Sequence, residues 1–261
     1  MRIKIRPWLV SVLVAGMFIL SGCISQQPSA SSTPISSASP AAIESTPSPS
    51  PQTPTSPSTS QFSGLPQLAG KATVEMLVKG GTVTMEIDGT DAPVTAGNFV
   101  DLVKRGVYDG LVFHRVVREP DPFVVQGGDP QGKDSNVPVG QLGTGNFIDP
   151  TTKAARYVPL EIKPEGATAP IYSQTFRDAG ISASPKLKHT RGAVAMARSQ
   201  FPDSASAQFY ITLADVNFLD GSYAVFGYVT QGMEVVDKIQ QGDRIDSMKV
   251  TQGIENLKLG K

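Results

Sequence analysis

The sequence predicts a mainly β domain, built as a closed or nearly closed sheet with only two helices. Short runs of β-branched and apolar residues follow one another at close spacing through most of the chain after residue 65. Glycine or proline stands in many of the connections, as is typical of turns between neighbouring strands. Only two segments show the apolar spacing of a helix. Together these three observations favour an antiparallel sheet that closes on itself.

The first two strands are predicted to form a hairpin. The runs 73–78 and 82–87 flank a Lys-Gly-Gly tripeptide at 79–81, and glycine in so short a connection indicates a tight turn. Strict alternation of apolar and polar residues in the second run indicates that one of its faces is buried. The apolar members of this run are Val83, Met85 and Ile87.

A helix is predicted to follow this hairpin. It begins at the Asp-Ala-Pro tripeptide at 91–93, where proline suits the first helical turn. Gly106 is the expected stop, because glycine readily adopts the left-handed conformation that ends many helices. The residues at helical spacing, which we expect to face the core, are Ala96, Phe99, Leu102 and Val103.

Most of the remaining elements are predicted to be strands. Strand patterns cover residues 111–117, 123–126, 158–162, 193–197, 208–213, 223–229 and 250–257. A second short helix is expected over 233–240, with Gly242 at its end. The stretch 130–190 is rich in glycine, proline, aspartate and lysine, and a long connection of this kind is usually either functional or mobile.

The composition excludes several classes of function. Lysine and arginine together number 23, aspartate and glutamate also number 23, and no basic run occurs in the domain, which argues against nucleic acid as a main partner. There are only two histidines, His114 and His189, and the single cysteine, Cys23, lies outside the predicted domain. We therefore expect no metal site and no cofactor.

Residues 1–22 are predicted to be an export signal. A basic start precedes an apolar run over 8–20, which is too short to span a bilayer comfortably. The run ends in Leu-Ser-Gly-Cys at 20–23, which resembles the bacterial lipobox, so Cys23 is expected to carry lipid. Several acyl chains at one terminus would give stable anchoring. The alternative is an ordinary secretory signal with a chance cysteine, or an uncleaved anchor.

Residues 23–64 are predicted to be a lipidated N-terminus followed by a disordered tether rich in serine, proline and threonine. Glu44 is its only charged residue, and it has almost no large apolar side chains, so burial cannot offset the entropy of ordering. Alternating proline over 47–51 favours the extended polyproline II conformation. Whether this is a functional spacer or a passive linker stays open. Residues 65–261 are then the folded domain.

One short region carries an unusual set of side chains. Arg115 is a permanent cation with a fork of donors, Phe123 offers a flat apolar wall, and Gln126 can both donate and accept. Such a set can hold an apolar ring and address its amide at the same time. No acid–base pair and no nucleophile accompanies it. Few reactions need only the polarisation of an amide, and rotation about an X-Pro bond is one of them.

A set of short segments runs through the domain in a characteristic order. They are Pro-Val-Thr-Ala-Gly-Asn-Phe at 93–99, Phe-His-Arg-Val-Val at 113–117, Phe-Val-Val-Gln-Gly-Gly-Asp at 123–129, Leu-Lys-His-Thr at 187–190, Met-Ala at 196–197, Ala-Gln-Phe-Tyr-Ile at 207–211, and Leu-Asp-Gly at 219–221 through Val-Phe-Gly at 225–227. With these segments in this order, the domain resembles the cyclophilin family of peptidyl-prolyl cis-trans isomerases over residues 72–260. The resemblance implies an eight-stranded antiparallel β-barrel capped by two α-helices, with the substrate groove on the outer wall.

The resemblance also implies roles for individual residues. Arg115 matches the family's catalytic arginine, which donates to the prolyl nitrogen in the twisted transition state, and Gln126 matches the glutamine that holds the substrate carbonyl and orients the arginine. The residues that match the proline pocket are Phe123, Val124, Tyr210 and Leu219. The residues that match the groove for the neighbouring peptide are Ala197, Arg198 and Gln208.

Several positions depart from the family pattern but keep an apolar or aromatic character. Phe218 stands where many members have tryptophan, and Tyr223 replaces a groove histidine; both are expected at the substrate. The missing indole donor at Phe218 implies weaker cyclosporin binding. The connection from Arg115 to Phe123 is also longer than usual, which could shift the arginine relative to the pocket. Tyr210 and Val124 replace a phenylalanine and a methionine.

Two histidines lie inside the matched segments, and neither is expected to act as a base. His114 neighbours Arg115 in a strand, so alternation points it to the opposite face. His189 is expected to be structural as well. With no Ser-His-Asp arrangement available, the resemblance leaves the arginine as the central group.

Three functions remain open at this level. The first is an exported isomerase, lipid-anchored to a bacterial membrane through Cys23, with its domain in the periplasm or another extracytoplasmic space, where it assists the folding of proline-containing exported polypeptides. The second is a binding module for proline-containing segments with little turnover. The third is a purely structural envelope protein. A monomer is expected in each case.

Overall fold

The computed structural model describes residues 62–260. The predicted export signal, the predicted lipid attachment site Cys23 and the part of the predicted tether up to residue 61 lie outside the described residues. At the beginning of the described part, Phe62 packs against Tyr172, with 4.8 Å between ring centroids. Within residues 62–260, no helix combines the length and apolar character needed to cross a membrane.

The domain is mainly β, as predicted, and its principal sheet has eight antiparallel strands. In the order of the chain, the strands are β1 (Gln67–Leu68), β2 (Lys71–Val78), β3 (Gly81–Asp88), β4 (Phe113–Val117), β5 (Val124–Gly127), β6 (Glu161–Ile162), β7 (Ile171–Tyr172), β8 (Ala193–Met196), β9 (Phe209–Thr212), β10 (Val225–Gln231), β11 (Ile245–Gln252) and β12 (Leu257–Lys258). The strand order of the principal sheet is β11-β2-β3-β10-β8-β9-β5-β4. The other four strands form two small pairs, β1 with β12 and β6 with β7.

The two edges of the principal sheet meet at a narrow seam rather than along a full ladder. An isolated antiparallel bridge joins Val112, just before β4, to Arg244, just before β11. Backbone hydrogen bonds flank it, including Ile245 N to Leu111 O at 2.8 Å and Phe113 N to Asp243 O at 2.9 Å. The eight antiparallel strands therefore curl into a half-barrel. Its two edge strands are joined only at this bridge and its flanking hydrogen bonds.

The hairpin β2–β3 has the tight turn that the sequence predicts. Val78 pairs with Gly81, so Lys79 and Gly80 alone form the loop. Both have positive φ, 53° and 74°, which is the backbone of a type I′ turn and matches the twist of the flanking strands. On β3, Val83, Met85 and Ile87 are fully buried, which confirms the predicted alternation.

The first helix, α1 (Pro93–Lys104), lies against the inside of the sheet. Phe99 on this helix contacts Phe209 and Phe226, with ring centroids 5.4 and 4.9 Å away. Burial of such aromatic rings dominates the stability of a core of this kind. The helix ends as predicted, because Gly106 follows its last turn with φ of 65° and its amide bonds to Val103 O.

The second helix, α2 (Met233–Val236), is shorter than predicted. The chain continues from it through turns to Ile239, and both Val236 and Ile239 are fully buried. The carbonyls of these two residues accept hydrogen bonds from the Arg118 guanidinium, at 3.2 and 2.8 Å. A side chain from another part of the fold thus satisfies the Ile239 carbonyl, while the Val236 carbonyl also accepts from Ile239 N at 3.1 Å.

The long connection between β5 and β8 is attached to the beginning of α1. Ala92, at the N-cap, has no side-chain acceptor, and the amides of the first turn are instead bonded by Glu161 of β6. Its carboxylate accepts from Val94 N at 3.1 Å and from Thr95 N at 2.7 Å, and its side chain is buried. A remote carboxylate therefore caps this helix.

Two ion pairs strengthen the same attachment. Lys163 lies 2.8 Å from Asp91, and Arg156 lies 2.6 Å from Asp101 of α1. The side chains of Arg156 and Asp101 are almost completely buried, and Arg105 also donates to both oxygens of Asp101, at 2.9 and 2.8 Å, so the buried carboxylate is paired with two cations. The connection is a packed part of the domain, held by α1 and also by Ser206, whose hydroxyl accepts from Phe147 N at 3.0 Å and donates to Arg156 O at 2.8 Å.

Candidate active site

A cavity of about 240 Å³ opens on the outer face of the sheet, where β5, β9 and the turn after β9 meet. Nine of the eleven residues predicted for catalysis or substrate binding line it. These nine are Arg115, Phe123, Val124, Gln126, Ala197, Arg198, Tyr210, Leu219 and Tyr223. Of the other two, Gln208 bonds to a lining residue and Phe218 stacks on one.

Strand pairing brings the arginine and the glutamine together. Arg115 on β4 is the cross-strand partner of Gln126 on β5, which places both side chains on the same face. Arg115 Nη1 donates to Gln126 Oε1 at 3.3 Å. Gln126 Nε2 in turn donates to Gln208 Oε1 at 3.3 Å, and Gln208 Nε2 to Gly145 O at 3.0 Å. This chain of hydrogen bonds fixes the direction in which each amide points.

The guanidinium of Arg115 also lies near an aromatic face. Its Cζ is 5.5 Å from the centroid of the Phe123 ring, within the range of a cation–π contact. The Arg115 side chain is otherwise exposed, so donors of its fork remain free for a ligand at the mouth of the cavity. The arrangement offers a cation with free N–H groups beside an apolar hollow.

The extended connection between Arg115 and Phe123 does not remove the arginine from the cavity. The loop is closed at its base by a backbone bond from Phe123 N to Val117 O at 3.0 Å. Arg118, at its start, is tied to the end of α2, as described above. The extra residues therefore bulge outward between two fixed points.

The walls of the cavity are mostly buried aromatic and aliphatic groups. Val124 and Tyr210 are almost completely buried, and Tyr223 meets Tyr210 edge to face with ring centroids 6.2 Å apart. Phe218 does not enter the cavity. It is 73 % exposed and stacks on the outer side of Phe123, at 5.7 Å and an interplanar angle of 22°.

The second arginine of the predicted groove, Arg198, is engaged by the protein itself. Its Cζ lies 4.6 Å from the centroid of the Tyr223 ring. Its Nη2 and Nε both donate to Ser222 O, at 2.6 and 3.1 Å. Arg198 therefore holds the turn before β10 in place, and Arg115 is the cation of the cavity with donors to spare.

Neither histidine points into the cavity as a base. The predicted alternation is interrupted at His114, because a bulge between Phe113 and Arg115 leaves it as the extra residue of β4; its side chain is buried, and burial lowers its pKa. His189 is fully buried behind the cavity wall, between Asp220 and Tyr210. No group of three or more metal-ligating side chains occurs within residues 62–260.

The comparison with known proteins agrees with this geometry. The sequence profile of the family described as "Cyclophilin type peptidyl-prolyl cis-trans isomerase/CLD" matches residues 73–259, which includes every residue that lines the cavity.

The chain belongs to the cyclophilin family.

Curated relatives give the same result. This cyclophilin is 44 % identical over 208 residues to the putative thylakoid lumen peptidyl-prolyl cis-trans isomerase of Synechocystis, with 76 % of this chain and 51 % of the relative covered. It is 39 % identical to the chloroplastic isomerase CYP38 of Arabidopsis thaliana, with 76 % and 46 % covered. The chain thus spans about half the length of these two relatives. Identity to a peptidyl-prolyl cis-trans isomerase of Acinetobacter baylyi is 37 %, with 64 % and 70 % covered.

Solved structures share the fold. A cyclophilin-type isomerase of Cryptosporidium parvum superposes with a TM-score of 0.52 at 23 % identity, covering 70 % of this chain and 98 % of that one. The same protein solved in the presence of the dipeptide Ala-Pro gives a TM-score of 0.51, with 69 % and 99 % covered.

A second cavity of this cyclophilin, of about 340 Å³, continues the groove beyond Gln126, Ala197 and Arg198, which line both cavities. Its far wall includes Asn146 and Tyr157 from the long connection. The sequence does not predict this contribution, because residues 144–157 carry no strand or helix pattern. The bridge between Val158 and Ala205 holds the segment against the groove. No local sequence pattern predicts a pairing between residues so far apart in the chain.

Proposed function

We propose that this cyclophilin is a peptidyl-prolyl cis-trans isomerase. The observation that carries the proposal is the position of Arg115, with free donors at the mouth of an apolar cavity whose size suits a proline ring. The family and the named relatives support it.

The physics of the amide explains how such a site would accelerate rotation. Resonance in the X-Pro bond opposes rotation with a barrier of about 18–20 kcal/mol. In the twisted state the resonance is lost and the prolyl nitrogen becomes a hydrogen-bond acceptor. A donor aimed at that nitrogen binds the twisted state better than either planar state, and this difference in binding is what lowers the barrier.

Each part of the cavity has a task in this scheme. Phe123, Val124, Tyr210 and Leu219 would hold the ring, while the Gln126 amide would hold the carbonyl of the substrate. Arg115 would donate to the nitrogen as it pyramidalises. Since the guanidinium already bonds to Gln126 Oε1 and lies beside Phe123, it needs only a small movement to reach a bound ring. Ala197, Arg198 and Gln208 would border the neighbouring peptide, and Phe218 and Tyr223 its outer edge.

The experiment is an isomerisation assay on an Ala-Ala-Pro-Phe peptide with purified protein. Replacing Arg115→Ala should lower kcat/KM by roughly 100- to 1000-fold, as expected for the loss of a donor that acts in the transition state. Arg115→Lys should recover only part of the rate, because an ammonium lacks the planar fork. Arg177→Ala, at an exposed arginine outside this cavity, is the matched control.

The assay also separates the isomerase from a binding module. No catalysis in the wild-type protein, together with saturable binding of the same peptide, would favour the module. A wild-type rate that survives Arg115→Ala unchanged would reject the role of the arginine while leaving the activity.

We further propose that the protein is exported and anchored by lipid on Cys23, with residues 1–22 removed, residues 23–64 as a tether whose end packs on the domain from Phe62 onward, and residues 65–261 as the isomerase domain. The sequence features at 20–23 support the anchor. The thylakoid lumen and chloroplast named for two relatives support a location outside the cytoplasm. The substrates would be exported polypeptides that contain proline.

Incorporation of labelled palmitate in a bacterial host tests the anchor. The wild-type chain should be labelled and recovered with membranes, while Cys23→Ser should be unlabelled. Equal labelling of both would overturn the assignment of Cys23. Ser25→Ala, two residues beyond the cysteine, serves as the control.

A further inference from the structure

Behind the cavity, a single buried side chain connects two of its walls. His189 Nε2 lies 3.0 Å from the hydroxyl of Tyr210 on β9. On the other side of the ring, His189 Nδ1 lies 2.8 Å from Asp220 Oδ1, next to the wall residue Leu219. Tyr210 and Leu219 both line the cavity, and His189 itself is fully buried.

The hydrogen bonds define the state of the imidazole. Asp220 Oδ1 accepts the backbone N–H of His189 at 2.8 Å and also lies against Nδ1, so Nδ1 must carry a hydrogen. Burial lowers the pKa of His189 below its ordinary value, which favours the neutral ring at pH 7, and in the neutral ring with hydrogen on Nδ1 the Nε2 atom is an acceptor. Burial also raises the pKa of Tyr210, so its hydroxyl keeps the proton that it donates to Nε2.

The cavity wall that carries Leu219 is not part of the sheet, and it therefore depends on its hydrogen bonds to His189. Asn217–Leu219 is a short 3-10 turn between β9 and β10. His189 secures the turn at both ends, since its carbonyl accepts from Val216 N at 2.8 Å and its ring and amide bond to Asp220. Tyr210, in contrast, is held by the ladder of β9 with β5 and β8.

We propose that His189 is a positioning residue for the proline cavity, which sets the separation between the Tyr210 wall and the Leu219 wall. The effect of His189 on catalysis rests on the proposed function. Its effect on the position of the two walls can be measured whether or not the protein catalyses isomerisation. Because the bonds at the two ring nitrogens differ in direction, only the Nδ1–H form of the neutral ring satisfies both walls.

Two pairs of variants test the proposal. In His189→Asn the amide nitrogen lies near the position of Nδ1 and can still donate to Asp220, whereas in His189→Gln the amide lies near Nε2 and the bond to Asp220 is lost. Asp220→Ala removes the acceptor, and Asp220→Asn keeps an oxygen that can accept. The second pair decides the question if the buried histidine variants do not fold.

Binding of an Ala-Ala-Pro-Phe peptide, titrated by NMR, and its exchange rate at saturation are the readouts. His189→Gln and Asp220→Ala should each raise Kd about tenfold, the effect of one hydrogen bond, while the exchange rate at saturation stays within about twofold of wild type. His189→Asn and Asp220→Asn should stay within about threefold of the wild-type Kd, because both keep a hydrogen bond to residue 220 that secures the Leu219 turn, and the ladder of β9 holds Tyr210 even where the bond to its hydroxyl is lost. Equal Kd values within each pair, or a loss of rate without a change in Kd, would overturn the proposal.

Two spectroscopic measurements keep the test independent of activity. Long-range nitrogen NMR of the wild type at pH 7 should show His189 with hydrogen on Nδ1 only, and a ring with hydrogen on Nε2 would refute the scheme. The nuclear Overhauser contact between the Leu219 methyls and the Tyr210 ring should weaken in Asp220→Ala and persist in Asp220→Asn. If the wild-type protein catalyses no exchange, the proposed function is rejected. The two spectroscopic measurements then decide the positioning role of His189 by themselves.

Discussion

Phe123 connects the polar and apolar parts of the candidate site, because its ring contacts both Arg115 and Phe218. The guanidinium lies 5.5 Å from its centroid, and the Phe218 ring stacks on it at 5.7 Å. One ring thus supports the cation and serves as a wall of the cavity. A ring held by such contacts presents a defined surface to a ligand.

The exposed ring of Phe218 leads to a prediction about ligand affinity. Replacing Phe218→Trp adds an indole donor at the rim and should tighten cyclosporin binding by about 2- to 10-fold, the range expected for one hydrogen bond. Isothermal titration calorimetry measures the effect. Phe218→Leu, which adds no donor, should bind no tighter than wild type, and equal affinity of the tryptophan and wild-type proteins would contradict the prediction.

For individual residues, the sequence predicts which side chains belong to the candidate site better than it predicts which of them line the cavity. Gln208 lines the second cavity rather than the first and bonds to Gln126, whereas Phe218 lines neither cavity and stands on a turn directed outward. Asn146 and Tyr157 reach the groove from a segment without periodicity, so only the folded chain reveals them.

The elements that the sequence missed are those too short or too irregular to carry a pattern. Strands β1 and β7 have two residues each, which is only one period of alternation, whereas β6 lies at the end of the strand predicted over 158–162. The predicted closing strand at 250–257 is misplaced, since β11 covers Ile245–Gln252. Register shifts at both of its ends interrupt the period of two on which the prediction relied.

The attachment of the long connection to α1 leads to a prediction about stability. Replacing Glu161→Ala leaves two amides of the first helical turn without their buried acceptor and should lower the free energy of unfolding by about 2–4 kcal/mol. Urea unfolding measures this change. Glu161→Gln keeps one acceptor oxygen and should lose about half as much.

Glu165 offers a matched control in the same connection. It is about half exposed and pairs only with Lys186, so Glu165→Ala should change the free energy of unfolding by less than about 0.5 kcal/mol. A similar loss for Glu161→Ala and Glu165→Ala would show that the cap contributes nothing specific.

For the whole molecule, the two buried histidines predict a dependence of stability on pH. Burial lowers the pKa of both His114 and His189, so the unfolded chain binds protons more readily than the folded one below the ordinary histidine pKa of about 6.5. The free energy of unfolding should therefore be constant above this pH and fall as the pH drops below it.

Chemical denaturation at a series of pH values between about 8 and 5 measures this dependence. His114→Gln should flatten the slope, because one of the two titrating groups is gone. Burial raises the pKa of Glu161, which acts in the opposite direction as that carboxylate takes up a proton, so the series is repeated with Glu161→Gln to isolate the histidines. A stability that rises on acidification in that background would contradict the prediction.

We expect the sheet to open locally at the seam between Val112 and Arg244 more readily than elsewhere. Separating the edges there breaks one bridge and a few flanking bonds, while the ladders on either side stay intact. Amide hydrogens of Phe113 and Ile245 should consequently exchange with deuterium sooner than those in the middle of β2 and β3. Arg115 lies on the same edge strand, three residues from Val112. Local opening of the seam would therefore displace the strand that carries the arginine without unfolding the rest of the sheet.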